Sequence, residues 1–193
     1  MREKKVFTRI GIVVLLIVLI AAAEFVIRNY RYSQDSLHSG EGTGYLMFLD
    51  DSKAAQTVEV EFQVDRHHFI FKNHNDFILG NVWFNGKDPL AVAEGETGTL
   101  WCMQMKGDNY FQTGSGDVNS AISESLGVEY FIDPELKFML FQLELSEDQV
   151  VIPDVEKEGT AILVYPAQSE EEAMEIYNKV LENSERLQAL QKK

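Results

Sequence analysis

Apolar and polar residues alternate along the central part of the chain at the period of a β-strand. In residues 57–64, TVEVEFQV, every second residue is apolar, so the valines and Phe62 share one face and the glutamates and the glutamine share the other. This pattern predicts a half-buried strand. Residues 77–84, FILGNVWF, are followed by Asn85-Gly86 and then by LAVA. An Asn-Gly pair between two apolar runs predicts a tight hairpin.

Further apolar runs, separated by turn residues, indicate more strands. They are YLMFL (45–49), HFIF (68–71), TLWCMQM (99–105), NYFQT (109–113), KFMLFQLEL (137–145), QVVI (149–152) and TAILVYP (160–166). This spacing predicts an antiparallel β-sandwich or barrel-like domain over residues 45–168, so that the fold class is mainly β. One short helix is expected within it, in GDVNSAISESLG (116–127), because Asp117 suits the start of a helix and Gly127 suits its end.

Near the carboxyl end the apolar spacing becomes helical. Ser169 and Glu172 fit a capping box, and glutamates in the first turn and lysines in the last complement the helix dipole. We therefore expect an amphipathic helix over residues 169–193. Its apolar stripe consists of Ala173, Ile176, Tyr177, Val180, Leu181, Leu187 and Leu190. The stripe either packs on the β-domain of the same chain or binds a protein partner.

The amino end has the pattern of a membrane segment. Residues 1–9 carry four basic side chains and one acidic one, and residues 10–27 are apolar or small except for Glu24. As a helix, this segment is about 27 Å long, which matches the hydrocarbon thickness and predicts a transmembrane signal-anchor. The basic residues place the amino end in the cytoplasm and the main domain outside it. The alternative is a secretory signal that is cleaved after Ala23. Residues 28–44, polar and rich in glycine, are predicted to form a linker.

The charge distribution narrows the range of functions. Beyond Arg31, 29 acidic residues stand against 11 basic ones. A domain this acidic repels phosphate backbones, so we expect no nucleic-acid partner, whereas cations and basic partners stay open. Cys102 is the only cysteine, so no disulfide forms within the chain. Together with the basic amino end, this favours a bacterial cell envelope as the setting.

Residues Thr99-Leu100-Trp101-Cys102 raise the question of cysteine chemistry. They resemble the motif of the sortases, in which the nucleophilic cysteine closes a Thr-Leu-x-Thr-Cys sequence, although the spacing here is one residue shorter. The resemblance implies a membrane-anchored β-barrel enzyme with an upstream histidine and a downstream arginine. The nearest upstream histidine is His74, and the only downstream arginine is Arg186.

Two groups of residues raise the question of metal binding. The segment DRHHFIFKNHND contains three histidines and two aspartates, which are Asp65, His67, His68, His74 and Asp76. On a strand, the two adjacent histidines point to opposite faces, and the segment has no pair of closely spaced zinc ligands. The acidic turns supply oxygen ligands of the kind that calcium binds, namely Asp108, Asn109, Asp117 and Asn119, but no EF-hand loop is present.

No catalytic, cofactor-binding or metal-binding set emerges from these patterns. The sequence therefore predicts a membrane-anchored, extracytoplasmic, non-catalytic protein that binds a partner or takes part in assembly at the cell envelope. Besides the helical stripe, any exposed aromatic residues among Trp83, Phe84, Tyr110 and Phe111 are candidate contacts. The alternatives are a cysteine-dependent, sortase-like surface enzyme and a cation-binding sensor domain.

Overall fold

The chain divides into two compact units, Met1–Ser36 and Leu37–Lys193. The computed structural model describes residues 2–34, 37–49, 55–67, 76–91, 97–104, 109–113, 128–145, 152–153, 155 and 159–192, with the side chains of the first helix from residue 11 to residue 27. The first unit contains helix α1, Arg2–Gln34. Within the residues so described, no helix is long and apolar enough to cross a membrane.

The second unit consists of eight described strands followed by two helices. The strands are β1 (Leu37–Phe48), β2 (Gln56–His67), β3 (Phe77–Phe84), β4 (Leu100–Gln104), β5 (Phe111–Thr113), β6 (Val128–Ile132), β7 (Met139–Leu145) and β8 (Gly159–Tyr165). The helices are α2 (Glu170–Asn183) and α3 (Glu185–Leu190). The mainly β fold class and the carboxyl-terminal helix are therefore confirmed.

The strands form a closed antiparallel barrel in which each strand pairs with its neighbours in the sequence. The barrel closes where Tyr45–Phe48 of β1 pairs with Ala161–Val164 of β8. Of the two expected architectures, the sandwich and the barrel, the barrel is correct. Closure gives the first and last strands, β1 and β8, a partner on both sides and removes most of the sheet edge.

Alternation along each strand divides the side chains between the barrel interior and its outer face. On β2 the apolar residues Val58, Val60, Phe62 and Val64 are buried inside, while the polar residues between them are exposed, as predicted. Aromatic rings meet edge-to-face in the interior, with Phe84 and Phe141 at 5.0 Å between centroids. The interior is thus a packed apolar core of the kind that an eight-stranded barrel accommodates.

The two carboxyl-terminal helices cover one outer side of the barrel. Their apolar residues and those of the outer strand faces form a second core, here called the outer core, which contains Met47, Tyr110, Phe131, Phe138, Leu140, Ile162, Val164, Ala167, Ala173, Tyr177, Val180 and Leu187. The helix begins at the predicted cap, where the Ser169 hydroxyl accepts a hydrogen bond from the amide of Glu172 at 3.3 Å. It does not continue unbroken to residue 193. Ser184 is extended and its hydroxyl caps α3, which explains the break.

The prediction that residues 28–44 form a linker is wrong. Helix α1 continues to Gln34, and from Leu37 the chain is strand β1, paired with β2 in the register Leu37↔Asp65 to Leu46↔Gln56. Three glycines in this segment share the inner face of the strand, where Gly40 and Gly42 leave room for aromatic rings and Gly44 lies against aliphatic side chains. A Cβ on Gly40 would lie 2.6 Å from Cε1 of Phe62, its partner on β2.

The remaining strand predictions divide into three groups. The runs at 45–49, 99–105, 109–113, 137–145 and 160–166 each contain a described strand. The turn at Asn85-Gly86 is confirmed, since both residues have positive φ and Phe84 and Lys87 exchange backbone hydrogen bonds, but described residues 90–91 of LAVA form no strand. Most of the segments 68–71, 116–127 and 149–152 lie outside the described residues. Strand β6 was not predicted.

Candidate functional site

The thiol of Cys102 is a fully buried part of the barrel interior. Its side chain is 0% exposed within the apolar core. Burial, and in second place the negative charge of Glu129, raises the pKa of Cys102 far above its ordinary value. A nucleophilic cysteine needs a lowered pKa and access to substrate. The environment of Cys102 therefore has the opposite chemistry to the sortase-like expectation.

Arg186, the arginine that the resemblance would require near the cysteine, has a structural partner instead. Its Nη2 atom donates to both carboxylate oxygens of Glu129 at 2.7 Å. The pair is partly buried, with side-chain exposures of 28% for Arg186 and 18% for Glu129. The guanidinium thus ties helix α3 to strand β6. The other proposed partner, His74, lies outside the described residues.

The histidine and aspartate segment is described only at its two ends. His67 stacks on Phe77 with 4.5 Å between ring centroids, and its Nε2 lies 3.5 Å from Oδ2 of Asp65. His68 and His74 lie outside the described residues, while the backbone carbonyl of Asp76 accepts from the amide of Gln104. Among the residues that are described, no group of three or more metal-ligating side chains converges.

The expected calcium ligands also fall largely outside the described part of the chain. Asp108, Asp117 and Asn119 are not described, and Asn109 is exposed at the start of the segment that leads into β5. These residues therefore remain sequence predictions.

Three of the four candidate aromatic contacts are buried. Phe84 and Phe111 are 0% exposed inside the barrel, and Tyr110 is 4% exposed beneath the helices. These three are therefore not surface contacts: Phe84 on β3 and Phe111 on β5 face the barrel interior, and Tyr110, just before β5, packs in the core beneath the helices. Trp83 is half-buried on the outer face of β3, where it pairs with Glu61.

The apolar stripe of the carboxyl-terminal helix packs on the barrel. Ala173, Tyr177, Val180 and Leu187 are buried in the outer core, and the stripe residues Ile176, Leu181 and Leu190 pack against it. Of the two interpretations, packing within the chain is the one observed for this stripe. A partner that binds these helices would contact their other face, and that partner remains a prediction.

The two ends of the barrel differ in chemistry. At the end that holds the β3–β4 and β7–β8 connections, Leu90 and Ile152 are buried in the core, and Asn85 Nδ2 donates to the carbonyl of Pro153 at 3.2 Å. At the opposite end, the guanidinium of Arg66 lies 5.7 Å from the ring centroid of Phe111 and donates to the carbonyl of Pro134. The first end also buries the carboxylate of Asp88, which accepts from the amides of Leu90 and Gly98, so a carboxylate lies at one end and a guanidinium at the other.

Strand β1 extends beyond its neighbour β8 and leaves part of its backbone exposed as a sheet edge. We call residues 37–41, on the side away from β2, the open edge. The carbonyl of Thr43 points to this side, since it accepts from the amide of Ala167 at 3.2 Å, and the hydroxyl of Tyr165 donates to the carbonyl of Glu41 at 3.3 Å. Backbone groups alternate in direction, so Leu37 and Ser39 also point outward. Among the described residues, no backbone group pairs with theirs on that side.

Glutamates line the outer face beside the open edge. Glu41 and Glu61 are direct partners on β1 and β2, and Glu59 lies two residues along β2 on the same face. All three side chains are exposed, and none forms a salt bridge with a described lysine or arginine. We call these three residues the acidic face. The sequence did not predict the open edge, because the edge depends on the relative lengths of β1 and β8. The alternating glutamates of β2, in contrast, are evident in the sequence.

Comparison with known protein families, with curated proteins and with solved structures found no match for this chain.

Proposed function

We propose that this chain is a membrane-anchored, extracytoplasmic, non-catalytic protein of a bacterial cell envelope, and that its barrel binds a partner or takes part in an assembly there. Helix α1 is the anchor and the barrel is the binding domain. The charge and apolar pattern of the amino end supports the anchor, and the chemistry of the barrel surface supports the binding role.

The observation that carries the anchor is the exposure of apolar side chains along α1. All nine residues from Ile12 to Ile20 are large apolar side chains with exposed fractions of 52% to 66%, which is unfavourable in water. Because successive helical residues are about 100° apart, these side chains point in every direction around the helix. A helix that is apolar on all sides is stable in lipid or in a protein core. The proposed span, 10–27, includes Ile10, whose side chain lies outside the described residues.

The orientation rests on the distribution of basic residues. Four of them lie before the apolar segment within residues 1–9, and the cytoplasmic side of a membrane segment carries the excess of lysine and arginine. The barrel is then on the opposite side. Its acidic surface suits a solvated domain that is repelled by anionic lipid headgroups.

The non-catalytic role is supported by what the reactive groups do in the barrel. The thiol of Cys102 is buried with a raised pKa, and the guanidinium of Arg186 is held by Glu129. Both groups contribute to packing and to the attachment of α3. The open edge, in contrast, presents hydrogen-bonding groups to solvent, and such groups serve recognition of an extended segment.

Intact mass in separated cell fractions tests the anchor. The chain is expressed in a bacterium, and the masses in the washed membrane and soluble fractions are measured. We expect the full-length mass in the membrane fraction. A double variant, Leu16→Arg with Leu19→Arg, should move the chain to the soluble fraction or prevent export, whereas Leu16→Ala with Leu19→Ala should not. A soluble product whose mass begins at Glu24 would show a cleaved signal and contradict the anchor.

A further inference from the structure

We propose that the open edge of β1 receives an extended basic segment of a partner protein, which pairs with residues 37–41 as an additional strand. The inference deepens the proposed binding role and rests on it, but it does not require the membrane anchor. It names the partner by its chemistry: an extended backbone that carries lysine or arginine at every second position.

The backbone of the open edge supplies the docking geometry. The carbonyls of Glu41 and Thr43 already accept from Tyr165 and Ala167. The outward-pointing groups open to an added strand are therefore the amides and carbonyls of Leu37 and Ser39 and the amide of Glu41, over about 15 Å of strand. Strand addition uses main-chain hydrogen bonds for affinity and alternate side chains for specificity. Leu37 is also 63% exposed, so an apolar contact is available at one end of this edge.

The acidic face decides the charge of the incoming segment. Glu41 and Glu61 are opposite each other on adjacent strands and both are exposed, and like charges directly opposite each other on a sheet are unfavourable. A lysine or arginine on the same face of the added strand lies next to Glu41 and relieves this repulsion. Electrostatic complementarity of this kind raises the association rate and fixes the register.

The same charges argue against a second copy of this chain as the occupant. Pairing two open edges would bring two acidic faces together, and the part of the chain beyond Arg31 has 18 more acidic than basic residues. Copies of a domain with this net charge repel each other. The negative electrostatic potential of the domain attracts a basic partner and repels a second copy.

The inner face of the edge determines the other positions of the segment. Gly40 and Gly42 carry no side chains there, and the ring and hydroxyl of Tyr165 lie against this bare surface, with Cε2 3.3 Å from the Cβ position of Gly42. Inward-pointing residues of an added strand therefore lie beside an aromatic ring and glycine backbone. Small aliphatic side chains suit that surface, so the expected pattern alternates basic and aliphatic residues.

The test uses the full-length chain in detergent micelles and a synthetic heptapeptide, Lys-Val-Lys-Val-Lys-Val-Lys, with a fluorescent label. Fluorescence anisotropy measures binding to two matched variants. Ser39→Pro removes an amide that points outward, so no hydrogen bond to β2 is lost, while Ser39→Ala keeps the amide. We expect Ser39→Pro to weaken binding at least about tenfold and Ser39→Ala to leave it within about twofold. The peptide Glu-Val-Glu-Val-Glu-Val-Glu should not bind.

Equal affinity of the two Ser39 variants would overturn the docking site, and so would no binding of the lysine peptide up to about 1 mM. Thermal unfolding shows whether Ser39→Pro retains the fold. If it does not, the double variant Glu41→Lys with Glu61→Lys replaces it as the test of the docking site. This variant should bind the lysine peptide at least about tenfold more weakly than the wild type. The control, Glu41→Gln with Glu61→Gln, should lose less affinity. Sedimentation of the unliganded chain completes the test. A dimer that Ser39→Pro dissociates would replace the basic partner with a second copy.

These experiments separate the inference from the anchor. Membrane fractionation can contradict the anchor without affecting binding in detergent, and a failed peptide titration leaves the fractionation result unchanged. Amide hydrogen exchange adds a local readout, because the bound peptide should slow exchange at Leu37, Ser39 and Glu41. Slowed exchange elsewhere, without protection at these three amides, would overturn the assignment to the open edge.

Discussion

Arg186 and Glu129 form a two-pronged ion pair, in which Nη2 of the arginine lies 2.7 Å from both carboxylate oxygens. The residues are 57 positions apart in the sequence, so the pair joins helix α3 to strand β6. It lies at the margin of the outer core that the helices and the barrel share. The pair should therefore contribute to the free energy of unfolding.

A double-mutant cycle on this pair should give a coupling free energy of about 1–2 kcal/mol, because the charged hydrogen bonds are partly shielded from water. The variants are Arg186→Ala, Glu129→Ala and the double variant, and the measurement is chemical unfolding of each. The exposed pair Lys137–Glu135, with side-chain exposures of 70% and 68%, is the control and should show no measurable coupling. Equal coupling in the two pairs would contradict the structural role of Arg186.

The outer core predicts that the helices are part of the folded domain. Leu187 is 0% exposed, whereas Met174 on the same helical pair is 38% exposed. Leu187→Ala should lower the free energy of unfolding by about 3 kcal/mol, since it leaves a cavity under α3. Met174→Ala should change it by less than about 1 kcal/mol. A chain cut before Ser169 should aggregate or unfold at lower temperature, and an unchanged melting temperature would mean that the stripe serves a partner instead.

The glycines on the inner face of β1 predict changes in stability that a flexible linker would not show. A Cβ on Gly40 would lie 2.6–2.7 Å from the Phe62 ring, but a Cβ on Gly42 would lie 3.3 Å from the Tyr165 ring. Gly40→Ala should therefore destabilise the domain by about 1–3 kcal/mol through overpacking, and Gly42→Ala by less than about 1 kcal/mol. Adding Phe62→Leu to Gly40→Ala should recover part of the loss. If residues 40–42 were a linker, neither alanine would matter.

How much of this fold the sequence could predict is clearest from β2 and β3. Strand β2 was predicted from alternation, because it has one buried and one exposed face, and β3 was predicted from the apolar run that precedes the Asn85-Gly86 turn. Strand β6 was missed because Tyr130 faces the interior while its neighbour Phe131 is buried under the helices. A strand that is buried on both faces loses the alternation that identifies it.

The architecture and the open edge depend on contacts between distant parts of the chain. Barrel closure requires the pairing of Tyr45 with Val164, and an alternating pattern predicts a sandwich equally well. The segment around Gly40 reads as a linker because glycine disfavours strands, and only the ring of Phe62 beside it explains why the strand forms. A sheet edge is exposed where one strand extends beyond its neighbour. The sequence pattern of a single strand does not show how long its neighbour is.

Burial of Cys102 predicts a specific pH dependence. Its pKa in the folded chain is raised above the ordinary value of 9.0, so the unfolded state loses this proton first as the pH rises. The stabilisation is fully present below pH 9 and is lost above it, by up to about 1.4 kcal/mol per pH unit. Burial also raises the pKa of Tyr177, from 10.0, which adds the same trend at higher pH.

Unfolding curves between pH 8 and about pH 10 test this prediction against Cys102→Ala as the matched control. The alanine variant has a constant difference in stability from its smaller side chain, so only the slope with pH is compared. We expect a steeper loss in the wild type above pH 9 than in Cys102→Ala, and full resistance of the native thiol to iodoacetamide at neutral pH. Parallel curves together with rapid alkylation would show an exposed, ionisable thiol and would reopen the cysteine-enzyme alternative.

The most direct test of the proposed function is the side of the membrane on which the barrel lies. Glu175 is exposed on α2, and the buried thiol of Cys102 gives no background, so Glu175→Cys can be labelled in spheroplasts with a membrane-impermeant maleimide. We predict that Glu175→Cys is labelled in intact spheroplasts and stays with the membrane pellet, while the wild type is unlabelled. Labelling only after lysis, with the chain in the cytoplasmic fraction, would contradict an extracytoplasmic, membrane-anchored barrel.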